Sequence, residues 1–303
     1  MKLTCDLCPH HCVIEEGRTG FCQARGNNGE RIVCENYGRL TSAAMDPIEK
    51  KPLNRFFKGT SILSVGSYGC NLRCSFCQNS SISMSGRDTR TIHVTPEMLA
   101  NKAKSLKEAG NIGIAYTYNE PLVGYEFVRD CAVLIRERGM KNVVVTNGNI
   151  ASNYFETLLP LIDAMNIDLK AFNESFYEVV SGDFKTVKTN ILLAAEHCHV
   201  EVTTLIIPGE NDSDEEMDAL AEWLAGINPE IPLHVSRFFQ VIRCLTEGRP
   251  RSRQFTGWPR SQGTIWNMFT QAIAKLKGRA KSKKLPHYLE TINRFVPMMD
   301  REK

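Results

Sequence analysis

Gly69-Cys70-Asn71-Leu72-Arg73-Cys74-Ser75-Phe76-Cys77-Gln78-Asn79 places three cysteines in eight residues, spaced C-x3-C-x2-C. Thiolates are soft donors that select iron–sulfur clusters or zinc. A closed structural shell takes four such donors. Three on one short loop leave a metal position open, and an open position marks chemistry rather than scaffolding. A zinc loop completed by a distant fourth ligand would use the same spacing. The run just before, Ser61-Ile62-Leu63-Ser64-Val65-Gly66, is short, apolar and β-rich. It reads as a strand that delivers the loop at its carboxyl end, where parallel sheets carry their ligand loops.

Beyond the loop, strands and helices alternate. Runs 112–117, 142–146, 164–170, 202–207 and 232–238 read as strands two to six. Thr95-Pro96 opens a helix with an N-cap and a first-turn proline, and Gly110 ends it. A second helix runs from about Pro121 to Gly139, where Phe127, Cys131 and Leu134 recur at helical spacing and make Cys131 a core residue. Ser152 caps a third. A fourth, 187–199, has Cys198 on its apolar face, and Ser213-x-x-Glu216 is a capping box for a fifth. Residues 78–94 read as loop. Six strands roughly 25–40 residues apart require parallel pairing through right-handed crossovers. The expected fold class is α/β, a partial (β/α)6 barrel with a small Cys-rich N-terminal segment.

Several polar residues fall at the carboxyl ends of these strands. Glu120 follows strand two, either as a site carboxylate or as the cap of the next helix. Asn147 follows strand three, where a turn could equally begin. Asp168-x-Lys170 sets opposite charges on one face of an apolar strand, so they need each other or a charged ligand. Ile206 and Ile207 precede the tight turn Pro208-Gly209. His234 lies on strand six, where a lone histidine is usually structural.

Residues 1–58 carry Cys5, Cys8, Cys12 and Cys22 as C-x2-C-x3-C-x9-C, with turns at Pro9, Gly17 and Gly20. Four thiolates would close a tetrahedral zinc shell or hold a second cluster, with His10 and His11 as substitutes. Asp46-Pro47-Ile48-Glu49-Lys50-Lys51-Pro52-Leu53 reads as a proline-bracketed connector to the core, 59–239. The chain of 303 residues is 42% hydrophobic and 23% charged, the profile of a soluble globular protein. No apolar run of about 18 residues or signal-peptide core occurs, so no membrane association is expected. Eleven cysteines in motif-like clusters then point to metal binding in a reducing cytoplasm rather than to disulfides.

Residues 240–303 differ from the rest. They hold 14 Lys and Arg against 4 Asp and Glu, a net of +10, while the remainder is −7. Taken as it stands, this is a basic tail suited to nucleic acid. Codons for Gln240-Val241-Ile242-Arg243-Cys244-Leu245-Thr246-Glu247 can, with one C restored before them, encode Pro-Gly-Tyr-Gln-Met-Leu-Asp-Arg. That frame continues as an amphipathic helix and a short β-rich run. The expectation is a tail produced by a frameshift, with no function for Cys244, Trp258 or Trp266.

The cluster loop with its flanking Asn71, Phe76 and Gln78-Asn79 resembles that of radical S-adenosylmethionine (SAM) enzymes. Together with the N-terminal cysteines, Tyr116-Thr117-Tyr118-Asn119-Glu120-Pro121 and His234-Val235-Ser236-Arg237-Phe238, residues 3–239 resemble the radical SAM enzyme of the AmmeMemoRadiSam system, a relative of pyruvate formate-lyase activating enzymes. The resemblance implies a radical SAM barrel in which Cys70, Cys74 and Cys77 hold a [4Fe–4S] cluster and SAM chelates its open iron. It implies SAM contacts at Glu120, Asn147, Asp168, Lys170, Ile207 and His234: the amino group at Glu120, the ribose at Asn147 and the adenine at Ile207. Reductive cleavage of SAM would then give a 5′-deoxyadenosyl radical that abstracts hydrogen, with a flavodoxin- or ferredoxin-type electron donor as partner. The substrate is a glycyl-radical protein or a small molecule. A non-catalytic zinc or cluster module on nucleic acid is the reading from another class. Tyr118-Asn119 stand where the family has two glycines, and Asn54-Arg55 where an aromatic-His pair is expected.

Overall fold

The computed structural model describes residues 1–237. The main sheet has seven strands: β1 (Ser42–Pro47), β2 (Ser61–Gly66), β3 (Asn111–Tyr116), β4 (Lys141–Thr146), β5 (Ala164–Asp168), β6 (His199–Ile206) and β7 (Leu233–Arg237). Their order across the sheet is their order in the chain. β2 through β6 pair in parallel, each with the next. Sequential parallel strands return through same-handed crossovers, so their carboxyl ends share one rim. The α/β class and the strand succession are those expected from the spacing. β5 stops at Asp168, which leaves Lys170 just beyond the sheet.

Three local expectations need correction. Asp46 and Pro47 are not connector but the end of β1, which pairs antiparallel with β2. Proline is tolerated there because an edge strand has one unpaired side. Ser152 is the first residue of its helix, Ser152–Leu158, and not its cap. Its hydroxyl donates to Asn190 Oδ1 at 3.0 Å, a tertiary bond that outcompetes local capping. The fourth helix is Phe184–His197, capped by Asp183, and Cys198 lies past its end. Elsewhere the local chemistry is as expected. Thr95 accepts the Met98 N–H at 3.2 Å, and Cys131 is buried in the helix Tyr125–Glu137. In the stretch read as loop, Ser80–Ser83 forms one helical turn and Ile92–His93 pairs with Arg39–Leu40.

Below the rim, Ile48, Leu53 and Phe56 from the connector pack with Ile62, Ala115, Val143 and Ala164 of the sheet. Each such large side chain contributes about 1.5–3 kcal/mol by leaving water. The chain separates into two compact units, Met1–Leu205 with Ile231–Ser236, and a second of which Ile206–Glu230 is described. In the second, Ser213 caps the helix Asp214–Ile227 by accepting the Glu216 N–H. No helix among the described residues is long and apolar enough to cross a membrane. The tail from 240 on, with its basic charge and frameshift expectation, lies outside the described residues.

Candidate functional site

The cysteine loop leaves β2 through Gly69, whose φ is +91°. A Cβ there would stand 2.6 Å from the Cys22 carbonyl and 2.9 Å from the Ala24 Cβ, so only glycine fits. The loop is braced on several sides. Cys70 N–H donates to the Cys22 carbonyl at 3.2 Å and Arg73 N–H to Val180 O at 2.8 Å. The Arg73 guanidinium lies 4.0 Å over the Phe21 ring and also donates to the Phe21 carbonyl. Cys77 Sγ lies 3.1 Å from Ser83 Oγ, on the helical turn just after the loop.

The ends of β3, β4 and β5 converge on this loop. Asn147 Nδ2 donates to Asn71 Oδ1 at 2.9 Å and to Cys70 Sγ at 3.7 Å. Asn71 in turn donates to the Asn149 carbonyl at 2.5 Å. Glu120 is fully enclosed. Its Oε1 accepts from Leu122 N–H and Thr146 Oγ1, and its Oε2 from Asn147 N–H. It is thus both the cap of the next helix turn and the tie between two strand ends. Burial pushes its pKa up to about 7, against the pull of those donors, and the Asp168 charge adds to the rise. Lys170 Nζ pairs with Asp168 Oδ2 at 2.7 Å. Burial by itself would lower the lysine, but Asp168 and the neighbouring Cys74 hold it well above its usual value. Burial also raises the Cys70 and Cys74 thiols, while Lys170 pulls both down.

Tyr118 and Asn119, which replace the expected glycines, explain themselves in the structure. Tyr118 has φ +75°, the glycine conformation, at a cost on the order of 1–3 kcal/mol. Its hydroxyl donates to Asp46 Oδ2 at 2.7 Å and its ring faces Lys51 at 4.6 Å, which offset that strain. Asn119 Nδ2 donates to the Tyr68 and Gly69 carbonyls, at 3.1 and 3.0 Å, and so fixes the entry to the cysteine loop.

His234 belongs to a different cluster. Its Nε2 lies 2.5 Å from Glu201 Oε2 and its Nδ1 faces Asn54. Glu201 is wholly buried and also takes His199 Nε2 and the Asn54 and Arg55 N–H groups. Burial opposes the charge, yet the two histidines and two amides draw the Glu201 pKa down to about 2. Ile207 lies in the second unit, where its N–H donates to Asn211 Oδ1 at 2.7 Å.

Glu201, Asn149 and Tyr177 had no sequence signal of their own. Tyr177 is buried and accepts the Lys170 N–H at 3.1 Å. Glu201 lies two residues from His199 on β6, so the two side chains share one face of that strand.

Cys5, Cys8, Cys12 and Cys22 also come together, around a small cavity. Among the described residues no three His, Cys, Asp or Glu side chains are already grouped to hold a metal ion, so ligation at either cysteine set requires thiol rotation. The donor chemistry at the rim fits a cluster with a polar ligand beside it. Three thiols share one loop, Cys70 Sγ receives two N–H donors, and the buried Asn149 Nδ2 has no partner among the described residues.

Residues 64–224 match the family model described as "Radical SAM superfamily". The chain belongs to the radical SAM superfamily. It is therefore an enzyme of a family that works with a [4Fe–4S] cluster and SAM. An uncharacterized protein of Methanocaldococcus jannaschii, MJ0808, is 40% identical over 240 residues, covering 78% of this chain and 71% of that one. The pyruvate formate-lyase-activating enzyme of Clostridium pasteurianum is 29% identical over 162 residues, 52% of this chain and 67% of that enzyme. The structure of Streptococcus suis SuiB bound to S-adenosylmethionine superposes with a TM-score of 0.52 at 12% identity, over 74% of this chain and 50% of SuiB. This radical SAM chain thus spans half the length of that structural neighbour, and the likeness is one of fold.

Proposed function

We propose that this radical SAM protein is an activating enzyme that holds a [4Fe–4S] cluster on Cys70, Cys74 and Cys77, binds SAM at the adjoining strand ends and sets a glycyl radical on a partner protein. The observation that carries the reading is the Asn147 amide, which spans Cys70 Sγ and Asn71 Oδ1 and so joins the cluster loop to a strand end. Similarity to a pyruvate formate-lyase-activating enzyme supports the activase part.

When bound, the cluster and SAM supply one-electron cleavage of the SAM S–C5′ bond to methionine and a 5′-deoxyadenosyl radical. The chain's own groups prepare that step. The buried thiols give up their protons on ligation, and Lys170 favours the charged form of Cys74. The Asp168–Lys170 pair offers one charge each to the ammonium and carboxylate of SAM. Glu120 Oε2 accepts a single bond from the chain, which leaves it room for one further donor such as that ammonium. Asn147 and the unpartnered Asn149 Nδ2 can meet the ribose. His234 acts at one remove, by fixing Glu201 and the Asn54 segment, and Ile207 enters as the adenine contact on family resemblance. A flavodoxin- or ferredoxin-type protein supplies the electron.

The test is anaerobic reconstitution with iron and sulfide, reduction with dithionite, addition of SAM and measurement of 5′-deoxyadenosine, with Cys74→Ala beside it. Product that vanishes in the variant is expected. A fully loaded cluster without product, in this chain and in one with the restored frame, would overturn the radical chemistry. Addition of a glycyl-radical enzyme should give the glycyl doublet by electron paramagnetic resonance. Product without that doublet, but with turnover of a small molecule, would replace the activase with a small-molecule enzyme.

A further inference from the structure

The four N-terminal cysteines lie outside the site just described and take no part in its chemistry. They nevertheless enclose something. Cys5, Cys8, Cys12 and Cys22 line one cavity of about 10 Å³, together with Leu7, Ile14, Val123, His10 and Arg25. That volume is roughly one water-sized sphere. A largely apolar wall gives water little to bond to, whereas four sulfurs suit a soft cation.

Several N–H groups point at the sulfurs. Phe21 N–H donates to Cys12 Sγ at 3.5 Å. Burial raises the Cys8 and Cys22 thiols, against the pull of the His10 amide and Asn71 side chain at Cys8 and of the Ala24 and Arg25 amides at Cys22. Such N–H groups aimed at sulfur support thiolates. Gly20 packs closely on the same group, since a Cβ there would stand 2.9 Å from Ile14 Cδ1 and 3.4 Å from Cys12 Sγ. A second, independent observation comes from Arg25. It lines the cavity, is 7% exposed and pairs with Glu126 through its terminal nitrogens. Its Nε–H is buried without a partner among the described residues. A buried donor left unmade costs about 1–3 kcal/mol, and a thiolate at the cavity wall would satisfy it.

We infer that Cys5, Cys8, Cys12 and Cys22 bind a single zinc ion as a closed tetrathiolate, with Arg25 balancing part of its negative charge. Four thiolates close a tetrahedral zinc shell and leave no position for a ligand, and elemental analysis separates that shell from a second cluster. Binding exchanges thiol protons for the ion and changes no oxidation state. The consequence reaches the reactive loop. Cys22 is at once a zinc ligand and, through its carbonyl, the acceptor for Cys70 N–H at 3.2 Å. His10 Nε2, two residues from Cys8, meets the Asn71 carbonyl at 2.8 Å. The zinc knuckle is thus a brace for the cluster loop.

The full chain, produced and purified anaerobically, should carry about one zinc per chain by elemental analysis. Zinc-edge X-ray absorption on that wild-type protein should show four sulfurs at about 2.3 Å and no lighter ligands. Zinc should stay in Cys74→Ala, which cannot hold the other site, and be lost in Cys22→Ser. Displacing zinc from the wild type with a mercurial reagent, then restoring thiols and metal, should lower and then recover the iron loaded at the Cys70 loop. A zinc shell containing nitrogen or oxygen, zinc-free protein with four reactive thiols, or iron that persists in Cys70→Ala/Cys74→Ala/Cys77→Ala would each overturn the assignment. Unchanged iron loading after zinc removal would overturn the brace. None of these outcomes depends on whether the enzyme cleaves SAM.

Discussion

The two cysteine groups differ in what surrounds them. The Cys70–Cys77 loop has three thiols and faces titratable partners: Glu120, Asp168 and Lys170 all act on its sulfurs. The Cys5–Cys22 group has four thiols, a largely apolar wall with His10 in it, and one arginine already paired to Glu126. Charges beside a metal site can move protons or hold a charged ligand, while an apolar wall only excludes competitors. That difference is why we propose a reactive centre for the first group and a structural one for the second, although both use the same donor atom. It also shows why they are neighbours, since residues 21–24 serve both.

The largest effect should come from Cys74→Ala, which is expected to cut 5′-deoxyadenosine formation by at least about 10³-fold, leaving only background, with zinc content unchanged. Loss of both metals together would erase the distinction between the groups. Next in size is Cys22→Ser, where a structural ion is removed. Unfolding free energy should fall by roughly 4 kcal/mol or more, read from denaturant midpoints.

Glu201 offers a reference away from both groups. Its folded pKa, about 2, lies below the ordinary glutamate value of 4.5. A depressed carboxylate contributes stability that is present above its unfolded pKa and lost as pH falls toward the folded one. About 3 kcal/mol should therefore disappear between roughly pH 4.5 and 2. Glu201→Gln should flatten that part of the unfolding profile and leave iron and zinc loading unaltered. Metal loss in this variant would tie His234 and Glu201 to the reactive centre after all.

Arg73→Met tests the link between the groups. It removes the contact over Phe21 and bonds to the Phe21, Cys70 and Leu72 carbonyls. About 1–3 kcal/mol of stability should be lost, along with several-fold poorer cluster loading in iron analysis. Asn147→Ala should have the smallest effect, a few-fold rise in the SAM concentration needed for half-maximal product.

How far the sequence could be read depends on the range of the interaction. Strand succession followed from β-rich runs at crossover spacing, and the caps at Thr95 and Ser213 followed from side chains that bond within three residues. Ser152 misled because Asn190, far along the chain, took its hydroxyl. The edge strand β1 was hidden by Pro47, since only its pairing with β2 reveals it.

From sequence alone came the parallel α/β order, the three-thiol loop at the end of its first parallel strand and the four-thiol motif before it. These are properties of spacing, and spacing is local. Tertiary structure alone decided that Asn147 reaches Cys70, that His234 serves Glu201, that Tyr118 can replace a glycine because Asp46 and Lys51 receive it, and that residues 21–24 of the four-cysteine segment form a wall of the three-cysteine loop. Each joins side chains brought together only when the strands pair, and no periodicity records which partner a buried donor or charge will find.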